Sequence, residues 1–216
     1  MKGVPVLLAV AHGTRSAAGQ AQIRELVDKV ACRLPGVDVR LAYADVQQPR
    51  VGDAIQGLDA VVVPLLLSSG YHVRVDIARA VEANDAVATA PLGPDPVLVE
   101  SLARKIGATD TVVLAAAGSS DPGWRADIAD VAAQLNAHVA YASGTESRVD
   151  DVVRRLRAQG AERITVAAYL LAEGLFYRSL HRAGADRVTP PLCADPAVVD
   201  LVLARYRHLT MVPSGL

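Results

Sequence analysis

The chain has 216 residues, 51% of them hydrophobic, 21% charged and 4% aromatic, with 22 Lys and Arg against 23 Asp and Glu for a net charge of -1. This is a globular composition, long enough for one large domain or two of about a hundred residues each. It excludes a fibrous or disordered chain, and it lacks the basic footprint of a duplex nucleic-acid binder. No apolar run approaches the roughly 20 residues that span a bilayer, and Cys32 and Cys193 form no CxxC pair, so neither a disulfide framework nor a cysteine-held iron–sulfur cluster is expected. No nucleic acid and no membrane are expected as partners, and a reducing, cytoplasmic setting is.

Lys2 followed by an apolar stretch ending Ala9-Val10-Ala11 superficially matches a secretion signal. Its charged region is minimal, and the similar segment Val112-Val113-Leu114-Ala115-Ala116-Ala117 recurs in mid-chain, so both are read as buried strands. In the first half, strands are predicted near 4–11, 37–43, 59–67 and 87–90, with helices near 16–34, 49–57, 72–84 and 95–106. Ile23, Leu26, Val27, Val30 and Leu34 recur at helical spacing and give the first long helix its core-facing stripe. The second half repeats the alternation, with strands near 111–117, 138–142, 163–171 and 187–190.

The chain is written twice. Pro91-Leu92-Gly93-Pro94-Asp95-Pro96 returns as Pro191-Leu192-Cys193-Ala194-Asp195-Pro196 at a separation of 100, and Ala42-Tyr43 and Arg50-Val51 return as Ala140-Tyr141 and Arg148-Val149 at 98. Gly13 pairs with Gly118 at 105, and Gly70 with Gly174 at 104, which sets Arg74 on Arg178. Strand–helix alternation within each copy predicts an α/β protein of two pseudo-symmetric three-layer lobes, each a roughly four-stranded parallel sheet flanked by helices, with a cleft between them. The lobe boundary is set at the polar join, giving 1–107 and 108–216. Asp95-Pro96 and Asp195-Pro196 read as helix N-caps with Pro in the first turn.

Two histidines stand out. His12 closes the apolar run Val6-Leu7-Leu8-Ala9-Val10-Ala11, and His72 closes Val61-Val62-Val63-Pro64-Leu65-Leu66-Leu67-Ser68-Ser69-Gly70-Tyr71. Carboxyl ends of parallel strands share one edge, where open α/β sheets bind ligands, so the two imidazoles can converge on a metal ion. The second copy has Ala117 and Phe176 at these positions, both imidazoles missing together. Asp45, beyond the strand ending Leu41-Ala42-Tyr43-Ala44, is either a third ligand or a turn cap ahead of Gln47-Gln48-Pro49. Two His and a carboxylate with open positions suit a divalent transition metal such as iron, cobalt, nickel or zinc. Gly13, Thr14 and Arg15, with Ser68, Ser69, Gly70 and Tyr71, open helices whose N–H groups can cradle an anion, although N-capping by Thr14 or Ser16 explains the first set equally well. Arg15, Arg50, Arg74 and Arg178 are either carboxylate-binding forks or solvated helix charges.

On Ala11-His12-Gly13-Thr14-Arg15, on Pro64 through His72 and on the repeated Pro-Leu-x-x-Asp-Pro segments, the chain resembles the class II tetrapyrrole chelatases of the CbiX/SirB type, in their long two-lobed form. The resemblance implies the chelatase-like fold and insertion of Co2+ or Fe2+ into sirohydrochlorin or a related tetrapyrrole, for cobalamin or siroheme biosynthesis. It implies that His12 and His72 bind the incoming metal and assist its transfer. The metal (Co2+, Fe2+ or Ni2+) is then a substrate, with no tightly bound cofactor. The family often has a glutamate where this chain has the shorter Asp45. Tyr71, Phe176 and Tyr177 are candidates for packing on the macrocycle, a core role for Phe176 being the other reading. Oligomeric state is open, monomer or homodimer.

A metal or tetrapyrrole carrier would use the same ligands without catalysis. A histidine phosphatase is disfavoured because Ala11 replaces the arginine that precedes the nucleophilic histidine in that class. A dinucleotide enzyme is disfavoured because no GxGxxG follows a strand and no Walker GxxxxGK[ST] occurs.

Overall fold

The computed structural model describes residues 4–68, 71–108 and 110–210, and for 71–74 it describes the backbone alone. The first repeat runs β1 (Val6–Ala11), α1 (Ala17–Cys32), β2 (Val39–Tyr43), α2 (Val51–Ala54), β3 (Ala60–Pro64), α3 (Tyr71–Glu82), β4 (Ala86–Ala88) and α4 (Pro96–Ala103). The second runs β5 (Thr111–Ala116), α5 (Pro122–Gln134), β6 (His138–Tyr141), α6 (Val149–Ala158), β7 (Ile164–Ala168), α7 (Leu175–Leu180), β8 (Arg187–Val188), a short 3-10 turn (Leu192–Ala194) and α8 (Pro196–Thr210). Two parallel sheets result, in the orders β2-β1-β3-β4 and β6-β5-β7-β8.

The near-continuous apolar runs explain this arrangement, because a parallel strand covered by helices on both faces needs no polar alternation. Leu7, Leu8 and Val10 of β1, and Val113, Leu114 and Ala115 of β5, have no exposed surface. The same strand order in both sheets is the structural counterpart of the repeat, down to a lone bridge between Tyr43 and Arg50 that recurs between Tyr141 and Arg148. The apolar run predicted as a strand over 59–67 outlasts the strand itself, since the ladder on β1 closes with Leu65 N–H donating to the Val10 carbonyl at 2.8 Å. Helix α2 is likewise shorter than its apolar pattern. It begins after Arg50 and ends at Ala54 with Ile55 as its C-cap, ahead of a turn carrying Gly57 at φ +69°.

On α1, the predicted stripe of Ile23, Leu26, Val27 and Val30 is buried, and Ser16 is the N-cap, its Oγ accepting from Gly19 N–H at 3.4 Å. Asp95 caps α4 through Val97 N–H at 3.0 Å. Among the described residues no helix is long and apolar enough to cross a membrane.

By packing, the chain divides into one unit that runs to Gly93 and resumes at Pro196, and a second unit of Pro94–Asp195. The lobe boundary read from the repeat, 1–107 and 108–216, therefore differs from the packing boundary, because the last helix of each repeat packs in the other repeat's unit. Helix α8 packs against α1 and β3, burying Val198, Val199, Leu201, Val202, Leu203 and Tyr206. Tyr206 donates its hydroxyl to the Pro5 carbonyl at 2.6 Å, and Arg205 Nε donates to the Pro91 carbonyl at 3.1 Å. In the second unit, α4 is tied to the 3-10 turn, where Asp195 accepts from Ser101 Oγ at 2.5 Å and pairs with Arg104 and Lys105 at 3.1 and 3.3 Å. Asp110, at the start of the second repeat, accepts from Thr165 Oγ1 at 2.7 Å and Gly107 N–H at 2.9 Å and pairs with Arg163 at 2.5 Å. These donors, Thr165 first, hold its carboxyl down to about 2 from the usual carboxylate range.

Candidate functional site

The carboxyl edge of the first sheet gathers the loops after β1, β2 and β3. His12 is the residue after β1 and is exposed. The β1–β2 ladder continues one step beyond both strands, with Ala44 N–H donating to the Ala11 carbonyl and Asp45 N–H to the His12 carbonyl, each at 2.9 Å. His12 and Asp45 are thus registered neighbours on the rim.

Gly13 makes this approach possible. Its φ is +98°, and a Cβ there would lie 2.1 Å from the Asp45 carbonyl oxygen. Only glycine supplies both the left-handed backbone and the vacant space. The loop after His12 is then clamped by two glutamines. Thr14 N–H donates to Gln47 Oε1 at 2.9 Å, and the Thr14 carbonyl accepts from Gln20 Nε2 at 2.8 Å. Ser16 N–H donates to Thr14 Oγ1 at 3.1 Å. The N–H groups of Thr14 and Ser16, read from the sequence as part of an anion cradle, are therefore engaged within the loop, and Arg15 is exposed beside them.

Asp45 does the work of a turn residue as well as standing next to His12. Its Oδ1 accepts from Val46 N–H at 2.7 Å and from Arg50 Nη1 at 2.8 Å, and the same guanidinium nitrogen bonds the Ala44 carbonyl at 2.9 Å. The Arg50 hydrogen bond, then Val46 N–H, and at longer range the charge of His12 hold the Asp45 carboxyl below the usual carboxylate range. The carboxylate is 62% exposed, so its second oxygen has room for a cation.

The chain leaves β3, which neighbours β1, through Leu65 to the half-buried Ser68. Tyr71 and His72 follow in the first turn of α3. Ser69 and Gly70, and the side chains of Tyr71, His72 and Arg74, lie outside the described residues. The backbone therefore places His72 on the same carboxyl-edge connection set as His12. Among the described residues no three His, Cys, Asp or Glu side chains form a metal-holding group.

The second unit has the same scaffold without the candidate ligands. Gly118, at φ +107°, follows Ala117, and its Cβ would lie 2.8 Å from the Ser143 carbonyl oxygen, as Gly13's would against Asp45. Ser143 N–H donates to the Ala117 carbonyl at 3.0 Å, and Arg125 Nε donates to the Ser119 carbonyl at 2.8 Å, in the role Gln20 has toward Thr14. Ser143 thus stands in the place of Asp45, so the hydroxyl replaces the carboxylate just as Ala117 and Phe176 replace the imidazoles. Phe176 is 38% exposed and not a core residue, whereas Tyr177 packs on the second core, donates to the Thr189 carbonyl at 3.3 Å and meets His181 edge-on at 5.0 Å. Arg178 is exposed.

Gln20 and Gln47 hold the loop of the candidate site and lie outside its motifs. Gln20 and Arg125 occupy equivalent positions in the two copies, and both are long side chains carrying donors, which is the signal that marks Gln20.

A structure of SirB from Bacillus subtilis with Fe3+ superposes with a TM-score of 0.76 at 20% identity, covering 97% of this chain and 96% of that one. The cobalt complex of SirB from Bacillus subtilis subspecies spizizenii gives a TM-score of 0.73 at 21% identity, covering 97% of each chain. These likenesses show the fold. A sirohydrochlorin cobaltochelatase of Methanosarcina barkeri is 29% identical over 79 residues, a match spanning 34% of this chain and 61% of that relative's length. The sequence profile of the CbiX family matches twice in tandem, over residues 6–109 and again over 111–209, and the chain belongs to the CbiX family.

Proposed function

We propose that this protein inserts a divalent metal ion, Co2+ or Fe2+, into sirohydrochlorin or a related tetrapyrrole, in cobalamin or siroheme biosynthesis. The observation that carries the reading is an exposed His12 registered beside the anionic Asp45 at the carboxyl edge of one sheet, in a chain that matches the CbiX family in both repeats. Family membership and the backbone position of His72 support a second imidazole there. The names of the SirB and Methanosarcina relatives support the substrate, and the iron and cobalt in the two SirB structures support the choice of metals.

Neutral imidazole holds a borderline metal yet releases it to a stronger multidentate ligand. As metal–nitrogen bonds form, two pyrrole N–H protons must leave, and no electron is transferred. His12, freed of metal, can accept one proton and pass it to solvent, Asp45 stabilises the resulting imidazolium, and the second proton leaves to solvent water directly or through the same imidazole once it has discharged the first. Cytoplasmic location is part of the proposal, supported by the unpaired, exposed Cys32 thiol, and cell fractionation tests it.

The experiment is an anaerobic insertion assay with sirohydrochlorin and Co2+, Fe2+ or Ni2+, followed by absorbance. Metallation above the spontaneous rate is the expected result. Binding of both partners without acceleration would identify a carrier instead.

A further inference from the structure

Replacing Asp45 by Ser143 changes the charge balance of the second rim. In the first unit the guanidinium of Arg50 is occupied, 2.8 Å from the Asp45 carboxylate and 2.9 Å from the Ala44 carbonyl. Its counterpart Arg148 has no carboxylate at that position. Its Nη1 reaches the Gly144 carbonyl only at 3.5 Å, and its Nε leans on the exposed Asp150 at 3.3 Å. Beside it is a cavity of about 130 Å³ lined by Arg148, Asp150, Ser179 and Arg182, with Tyr141 and Val149. Ser179 Oγ donates to the Phe176 carbonyl at 2.6 Å, which leaves its oxygen as an acceptor, so the charged donors available to a ligand come from the two arginines. Among the described residues Arg182 has no acidic partner within ion-pair distance. Two guanidinium groups therefore face one carboxylate, and the lining carries a net positive charge.

We propose that this cavity in the second unit is an oxyanion site, in which Arg148 and Arg182 together hold a single carboxylate or phosphate-sized group. Paired guanidinium forks match the planar geometry of a carboxylate and the oxygens of a phosphate, and a divided set of donors favours such a group over chloride. The volume suits one such group and excludes a macrocycle. The anion has two possible sources, a peripheral carboxylate of the tetrapyrrole or a free small oxyanion. The first of these rests on the proposed chelatase reading, and the second does not.

The test titrates the full chain with inorganic phosphate and with acetate by calorimetry at low ionic strength, for the wild type, Arg182→Gln, Arg148→Gln and Arg154→Gln. Arg154, which pairs with Asp151 on the neighbouring turn, is the control for general charge. Saturable binding is expected, weakened about tenfold or more in Arg182→Gln and Arg148→Gln, unchanged in Arg154→Gln and weaker at higher salt. No saturable binding by the wild type, or equal loss in all three variants, would overturn the site. Adding phosphate to the insertion assay separates the sources: a raised KM for sirohydrochlorin assigns the cavity to a substrate carboxylate, and an unchanged KM assigns it to a free anion. Absence of any insertion would overturn the chelatase reading and leave the calorimetric result standing.

Discussion

Gly13→Ala is the substitution that most directly probes the rim. At φ +98° a side chain must be held in the left-handed region, which costs about 1–2 kcal/mol. The added Cβ would also lie 2.1 Å from the Asp45 carbonyl oxygen and 3.3 Å from Val46 Cβ. Relief requires the Asp45 peptide to move. That peptide carries the 2.9 Å bond to the His12 carbonyl and the 2.7 Å bond from Gln47 N–H, each contributing about 0.5–1.5 kcal/mol. The expected loss is about 2–5 kcal/mol, together with a large fall in insertion rate, since the moving peptide is hydrogen-bonded to the His12 carbonyl. Gly36 separates strain from collision, because its φ is +87° and a Cβ there meets nothing within 4 Å; Gly36→Ala should cost only about 1–2 kcal/mol. Gly52, in α2 with open space around it and no positive φ, should gain about 0.5–1 kcal/mol on conversion to Ala. Because two packed units need not melt together, hydrogen exchange of the β1 and β2 amides is the appropriate readout, with urea unfolding beside it. A Gly13→Ala variant no less stable than Gly36→Ala would refute the close approach of Asp45 to His12.

His12→Ala should abolish insertion while unfolding stability stays within about 1 kcal/mol, since an exposed side chain contributes little packing; His72→Ala is expected to abolish insertion as well, and activity at wild-type level in either variant would remove it from the site. Asp45→Asn keeps an oxygen for Val46 N–H but removes the charge, so the Kd for Co2+ should rise, and an unchanged Kd would assign Asp45 to the turn alone. Gln47→Ala leaves Thr14 N–H without its acceptor, which should raise the KM for metal more than it lowers kcat, and Gln47→Glu, retaining a side-chain oxygen, should restore it. Asp110 titrates at about 2 when folded against an ordinary carboxylate value of 3.8, so its stabilisation is present above about pH 4 and is lost as the pH falls toward 2; acid unfolding should be shallower over that window in Asp110→Asn.

Several features of this site are legible from residue order because their causes are local. His12 and His72 end apolar runs, and an apolar run covered on both sides becomes a parallel strand, so both residues had to fall on carboxyl-edge connections. The stripe on α1 and the Asp95 cap depend on neighbours three or four positions away, and both form as the pattern requires. Strand ends were less legible. The apolar character of 59–67 continues after β1 has no further carbonyl to offer, and a strand ends where its neighbour does. Asp45 read equally as ligand and as turn cap because the choice depends on Arg50, which reaches it only after the chain has turned.

Sequence alone determined the duplication, the parallel α/β class and the two-histidine asymmetry between copies, because each is a pattern of residue types repeated along one chain. The tertiary structure decided that Asp45 stands beside His12, that glutamines clamp the loop between them, that Ser143 replaces Asp45, and that α4 and α8 each pack in the other repeat's unit. All four depend on backbones brought together from distant positions, where a carbonyl oxygen at 2.1 Å from a missing Cβ matters more than any residue's own preference.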